Sequence, residues 1–167
     1  VLDRQGFDCS KALVVCGSGN NGGDGFAVAR MLHLNGHEVE VVFAGKEEAR
    51  SEETRLQMKI LENYGVSIGN TIMLQEYSVV IDALLGIGIT REITGVDADV
   101  IEQMNQLSGE KVAIDIPSGI HASDGRVMGT AFRADTTITF ACEKLGTVLY
   151  PGHTYAGLIV VEDIGID

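Results

Sequence analysis

The stretch Val14-Val15-Cys16-Gly17-Ser18-Gly19-Asn20-Asn21-Gly22-Gly23-Asp24-Gly25 decides the fold. An apolar run ends at Cys16, and five glycines follow within the nine residues 17–25. A helical pattern then takes over, predicting a helix over Asp24 to Asn35 that stops at Asn35-Gly36. Glycine lets backbone N–H groups come close to a ligand, and a helix N-terminus behind such a loop favours an anion such as a phosphate. The reading is strand, glycine loop, helix, with a nucleotide-like ligand. Asn20, Asn21 and Asp24 go beyond what a dinucleotide loop needs, so something besides pyrophosphate is expected there.

Outward from that stretch, apolar runs alternate with helical patterns. Strands are predicted at Ala12 to Cys16, Val39 to Phe43, Val79 to Ile81, Val112 to Ile116, Thr136 to Phe140 and Leu158 to Val161, with a short one around Val66 to Ile68. Most are continuously apolar, which suits strands covered on both faces. Helices are predicted at Ser51 to Tyr64, capped by Ser51 with Leu56, Ile60 and Tyr64 on one face, and at Val96 to Leu107, with Val96, Val100, Met104 and Leu107 on one face. Gly119 to Asp135 reads as a long loop with turns at Asp124-Gly125 and Met128-Gly129. The expected fold is a Rossmann-like doubly wound α/β fold, a mostly parallel sheet in a three-layer α/β/α sandwich.

Composition narrows the classes. The chain has 167 residues, 45% apolar and 22% charged, with a formal net charge of −12. That length suits one core and one domain, 1–167. The acidic balance argues against nucleic-acid binding, and no apolar run approaches a membrane span. No basic-then-apolar leader opens the sequence. Cys9, Cys16 and Cys142 are odd in number and lack C-x-x-C spacing, so a reducing, cytoplasmic setting is expected, with Cys16 and Cys142 in the core.

Ligands of open parallel sheets bind beyond the carboxyl ends of the strands. The segments there are Gly17 to Gly25, Asp82-Ala83-Leu84-Leu85-Gly86-Ile87-Gly88-Ile89, Asp115-Ile116-Pro117-Ser118-Gly119 and Ala141-Cys142-Glu143-Lys144-Leu145-Gly146. Gly17-x-Gly19-x-x-Gly22 matches the dinucleotide fingerprint, but Phe43 is followed by Ala44-Gly45-Lys46, with no ribose-binding acid. Lys46 could meet a phosphate instead. A buried carboxylate at Asp82 or Asp115 is costly unless paired or coordinated. Asn21, Asp82 and Ser118 together offer oxygen ligands of low charge, which point to a weakly held monovalent ion, completed by backbone carbonyls, rather than zinc. Lys144 either approaches the same pocket or is an ordinary surface lysine.

Three of these motifs, Gly17 to Gly25, Val80-Ile81-Asp82-Ala83-Leu84-Leu85-Gly86-Ile87-Gly88 and Asp115 to Gly119, resemble the YjeF N-terminal domain family, the NAD(P)H-hydrate epimerases. Ala134 to Phe140, Lys144-x-Gly146 and Val161-Glu162-Asp163-Ile164-Gly165-Ile166 extend the likeness. The resemblance implies exchange of the R and S hydrates of NADH and NADPH. It implies substrate contacts at Asn20, Asn21, Gly22, Gly23, Asp24, Gly86, Ile87, Gly88, Ile89, Thr90, Arg91, Glu92 and Asp115, and a potassium ion held by Asn21, Asp82 and Ser118. Asp115, at a strand end, is the expected acid–base residue. A homodimer is implied, as is a functional partner, the ADP- or ATP-dependent dehydratase that consumes one epimer. The sequence departs from the family at Ser18, where proline is commoner. It opens at Val1 rather than Met, so the family's N-terminal helical extension is expected in a longer protein, and since bacterial members often carry a fused dehydratase after this domain, a fragment of a bifunctional protein is one open reading. The rival expectations are a non-catalytic nucleotide-binding or scaffold module on the same fold, and an ordinary dehydrogenase, which the missing ribose acid disfavours.

Overall fold

The structure, a computed structural model, describes residues 2–163 and 165. In the closing segment, Ile164 and Ile166 lie outside the described residues. The elements in chain order are α1 (Leu2–Gln5), β1 (Lys11–Cys16), α2 (Asn20–Leu34), β2 (Glu38–Phe43), a 3-10 turn (Glu47–Ala49), α3 (Glu52–Asn63), β3 (Ile68–Gly69), β4 (Val79–Ala83), α4 (Val96–Gln106), β5 (Glu110–Ile114), β6 (Thr136–Phe140), α5 (Leu145–Val148), α6 (His153–Ala156) and β7 (Leu158–Glu162). The strands form one sheet in the order β3-β2-β1-β4-β5-β6-β7. Every neighbouring pair is parallel. The chain winds outward from β1 to β3, then returns to β4 on the other side of β1, so the topological switch lies between β1 and β4.

Both faces of the central strands are covered, which is why residues 12–16, 79–81 and 112–114 run apolar without a break. Along β1, Ala12, Val14 and Cys16 join one buried cluster with Phe26, Ala29 and Leu32 of α2 and Leu61 of α3. Leu13 and Val15 point the other way, into a cluster with Ile101 and Met104 of α4. The same alternation divides Val79 and Ile81 of β4 from Val80. The α/β/α sandwich expected from the sequence is therefore present.

Several details differ from expectation. First, α2 begins at Asn20, not Asp24, so Asn20 to Asp24 form its opening turn rather than a loop before it. The glycines there stand where side chains cannot: a Cβ on Gly22 would lie 1.9 Å from the Gly17 carbonyl oxygen, and one on Gly25 2.5 Å from the Ala83 Cβ. Second, α3 turns a different face inward. Leu56 and Tyr64 are exposed, and Thr54 and Leu61 are buried, because Thr54 Oγ1 donates to the Gly19 carbonyl at 2.7 Å and docks α3 on the start of α2. Likewise Val96 of α4 is exposed and Ile101 replaces it in the core. Third, β5 ends at Ile114, and Asp115 turns the chain with φ 68°. Fourth, Cys142 is exposed, since it lies in the turn beyond β6 rather than beside a covered strand, while Cys9 and Cys16 are buried. The short third strand falls at Ile68–Gly69, later than Val66 to Ile68. The Ser51 cap is as expected, its hydroxyl accepting from the Thr54 N–H at 3.1 Å. So are the Gly125 and Gly129 turns, at φ 73° and 90°.

Candidate functional site

A cleft of about 1230 Å³ opens at the carboxyl end of the sheet. Ligand pockets are typically ~300–1,000 Å³, so this one is large for a small metabolite. Its walls come from four strand ends: Gly17 to Asn21 after β1, Ala44 to Lys46 after β2, Leu84 to Asp97 after β4, and Asp115 after β5. It straddles the switch point, where doubly wound sheets bind their ligands.

The start of α2 forms one wall. Gly19 is its N-cap, with no side-chain cap bond. The first N–H groups of a helix have no carbonyl partner within it, and the helix dipole adds partial positive charge there. A Cβ at Gly19 or Gly88 would meet nothing within 4 Å, so these two glycines keep the backbone open towards the cleft.

Behind this wall a polar knot is built around Asp82. Asp82 is fully buried, in the middle of a parallel sheet. Its Oδ1 accepts from the Ser118 hydroxyl at 2.7 Å and the Leu84 N–H at 3.1 Å, and its Oδ2 from the Ser118 N–H at 2.7 Å. Burial pushes its carboxyl up to about 6, against the pull of these bonds. Ser118 Oγ in turn accepts from the Leu85 N–H at 2.8 Å, and Asn21 Nδ2 donates to the Leu85 carbonyl at 2.9 Å. Leu85 thus ties Asn21, Asp82 and Ser118 together. Asn21 Oδ1 is buried and has no hydrogen-bond partner. A buried unpaired carbonyl oxygen in a network that also holds a buried carboxylate is an arrangement that a cation relieves. The donor set is all oxygen, the kind that hard cations take.

Asp115, just past β5, lines the same cleft. Its Oδ1 accepts from the Thr139 hydroxyl at 3.1 Å and the Phe140 N–H at 3.4 Å, and forms an ion pair with Lys144 Nζ. Lys144 Nζ also donates to Thr139 Oγ1 at 2.9 Å and to the Phe140 carbonyl at 3.2 Å. Both side chains of the pair are mostly buried. The left-handed φ of Asp115, costly for a residue with a side chain, is what turns its carboxylate back towards this cluster. Asp24, on α2, is exposed to the same cleft. Desolvation by the cleft walls and the nearby charge of Asp115 both raise its carboxyl above the usual range.

The cleft therefore gathers Asn20, Asn21, Asp24, Gly86 to Glu92 and Asp115. Gly22 and Gly23, expected as contacts, are buried in α2 and turn towards Gly17 and Thr54 instead. Asp82 and Ser118 lie beneath the cleft rather than in its wall. Spacing alone left Lys144 undecided, because its partner lies 29 residues away. Lys46 is placed beyond β2, with Ser18 Oγ donating to its carbonyl at 3.0 Å.

Comparison with known proteins agrees with this architecture. The family model of the YjeF-related protein N-terminus matches residues 3–146. The chain is 42% identical over 167 residues to an NAD(P)H-hydrate epimerase of Oenococcus oeni, covering 99% of this chain and 80% of that one. It is 42% identical to the protein of the same name from Levilactobacillus brevis, over 99% of this chain and 77% of the relative. The crystal structure of yeast ynu0, YNL200c, superposes with a TM-score of 0.76 over 95% of this chain and 68% of the yeast chain, at 19% identity, a likeness of fold. The chain belongs to the family of the YjeF-related protein N-terminus.

Proposed function

We propose that this chain is an NAD(P)H-hydrate epimerase that interconverts the R and S hydrates of NADH and NADPH. Relatives of that name at 42% identity support it. The observation that carries it is the meeting of the strand-end segments after β1, β4 and β5 around one cleft that holds the start of α2 and Asp115. Epimerisation requires the C6 hydroxyl to leave and return on the other ring face. The ring nitrogen lone pair expels it, giving a planar iminium, while an acid protonates the departing oxygen and a base takes a proton from the returning water. In this reading Asp115, which lines the cleft, carries the protons and faces the cationic ring. The phosphates rest against the α2 N-terminus, and Asn20, Asn21, Asp24 and the Gly86 to Glu92 segment hold the remainder.

Potassium fits the residues present: Asn21 Oδ1, Asp82 and Ser118, with nearby carbonyls, would hold it. When bound it supplies a positive charge that offsets the buried Asp82 carboxylate and braces the first turn of α2 against the Leu85 segment. The same reading takes the chain as a single domain, working in the cytoplasm as a homodimer beside a dehydratase that consumes one epimer. Among the described residues, no helix is long and apolar enough to cross a membrane.

The test is to incubate the chain with one NADPH hydrate epimer in water labelled with oxygen-18 and follow both epimers. Equilibration above the uncatalysed rate, with label entering C6, is expected. Tight binding with an unchanged epimer ratio leaves a non-catalytic nucleotide-binding or scaffold module.

A further inference from the structure

Two of the carboxyl groups that line the cleft stand in opposite electrostatic settings. Asp115 carries an ammonium, a hydroxyl and an N–H on a single oxygen, Oδ1, so its negative charge is compensated. Its position is thereby fixed from three sides at the end of β5. Among the described residues Asp24 has no such cation. It stands on α2 and lines the same cleft, where desolvation first, and then the charge of Asp115, raise its carboxyl. The other charged groups lining the cleft are Lys46 from the β2 side, and Arg91, Glu92 and Asp97 from the segment after β4. Pairs of titratable groups whose surroundings push them apart are how one site holds an acid and a base at one pH.

We propose that Asp24 is the general acid of the epimerisation, with Asp115, fixed by Lys144, as the base serving the opposite face of the ring. This rests on the epimerase reading above. In one direction, Asp24 donates its proton to the C6 hydroxyl. The C6–O bond breaks, water leaves, and the ring nitrogen lone pair forms the N1=C6 bond of the iminium. A water molecule then adds to the other face of C6, the nitrogen recovers its lone pair, and the water's proton passes to Asp115. The cleft is open, so both carboxyls exchange protons with solvent before the next turnover. The reverse direction uses the same two groups in exchanged roles. Lys144 is a positioning residue: its ammonium fixes Asp115 Oδ1 at the end of β5.

Two measurements on the full chain test this. The first needs no substrate: the side-chain carboxyl of Asp24 is titrated by carbon-13 NMR in the wild type and in Asp115→Asn. Loss of the facing negative charge lowers the Asp24 midpoint. An unchanged midpoint overturns the pairing. The second is the pH dependence of kcat for exchange of the NADPH hydrates. The wild type follows a bell whose alkaline limb belongs to the pair with Asp24 as acid. Asp24→Asn lowers kcat by about 10²–10⁴-fold and removes that limb, and Asp24→Glu restores part of both. KM stays within about threefold, since the isosteric amide keeps the shape of the site. An Asp24→Asn chain with near-normal kcat and an unchanged bell overturns the acid role while the epimerase reading stands. A wild type that leaves the epimer ratio unchanged refutes the epimerase reading, and the acid role falls with it.

Discussion

Lys144 and Asp115 form an ion pair that joins the segment after β6 to the end of β5, and Asp115 is held in a left-handed backbone conformation to make it. Two strands that neighbour each other in the sheet thus aim one carboxylate at the cleft. The ammonium also spans the Thr139 hydroxyl and the Phe140 carbonyl, so it organises the whole turn beyond β6.

Replacing Lys144 by Met keeps much of the aliphatic stem and removes the charge. Asp115 is then left partly buried without its cation, and its Oδ1 loses the contact that fixes it. Breaking a buried pair from one side costs about 3–5 kcal/mol, and residual exposure reduces that here. A lowered Tm together with a lowered kcat is expected; an unchanged kcat would mean that Asp115 does not depend on Lys144.

Asp82 gives a second pH dependence with a defined sign. Its carboxyl is 3.8 when free and about 6 in the fold. Between those values the folded state holds a proton that the unfolded state has lost, so stability falls as pH rises through that window. The shift corresponds to roughly 3 kcal/mol once both states are ionised. A cation bound at Asn21, Asp82 and Ser118 offsets that loss and stabilises by mass action. Thermal melts should show potassium raising Tm more at about pH 7.5 than at about pH 5. In Asp82→Asn the potassium gain should vanish. Equal gains at both pH values would place the ion elsewhere.

The sheet was legible because β1, β4 and β5 are covered on both faces and carry that burial as apolar runs at residues 12–16, 79–81 and 112–114, while the loops beyond them repeat a polar residue followed by glycine. The start of α2 was not, since glycine disfavours helix interiors by about 1 kcal/mol and Asn20 to Gly23 therefore read as loop. Their helical state is imposed by packing: Gly22 lies against Gly17, and Gly25 against Ala83 and Cys16. The face of α3 was misread because Thr54 is buried by its bond to Gly19, which no hydrophobic period reports. Asp82, Asp115 and Ser118 could be picked out by position at strand ends. The Lys144 contact could not, because it joins residues 29 apart through a backbone turn at Asp115.

Gly25 tests that packing directly. A Cβ there would lie 2.5 Å from the Ala83 Cβ and 2.7 Å from Cys16 Sγ. Helix propensity alone favours alanine over glycine, but crowding a close-packed core costs about 1–3 kcal/mol. Gly25→Ala should lower the denaturant midpoint with little change in slope. A stabilised Gly25→Ala chain would show that α2 can move off β1 and β4 without loss.

Lys46 offers the last test, because it stands beyond β2, where an ordinary dinucleotide site places the acid that binds a ribose hydroxyl. Here that position reads Ala44-Gly45-Lys46, and all three residues line the cleft. A lysine at this place repels no phosphate and attracts one, so it suits the 2′-phosphate that distinguishes NADPH from NADH. Its side chain is remote from Asp115 along the sheet, separated by β1 and β4. Lys46→Ala should therefore raise KM for the NADPH-derived hydrate by about tenfold, near 1.4 kcal/mol, and leave kcat unchanged. KM for the NADH-derived hydrate, which lacks the phosphate, should change far less, and the difference should shrink as salt screens the pair. Equal effects on both hydrates would assign Lys46 to the shared pyrophosphate, and no effect on either would place the ribose away from β2.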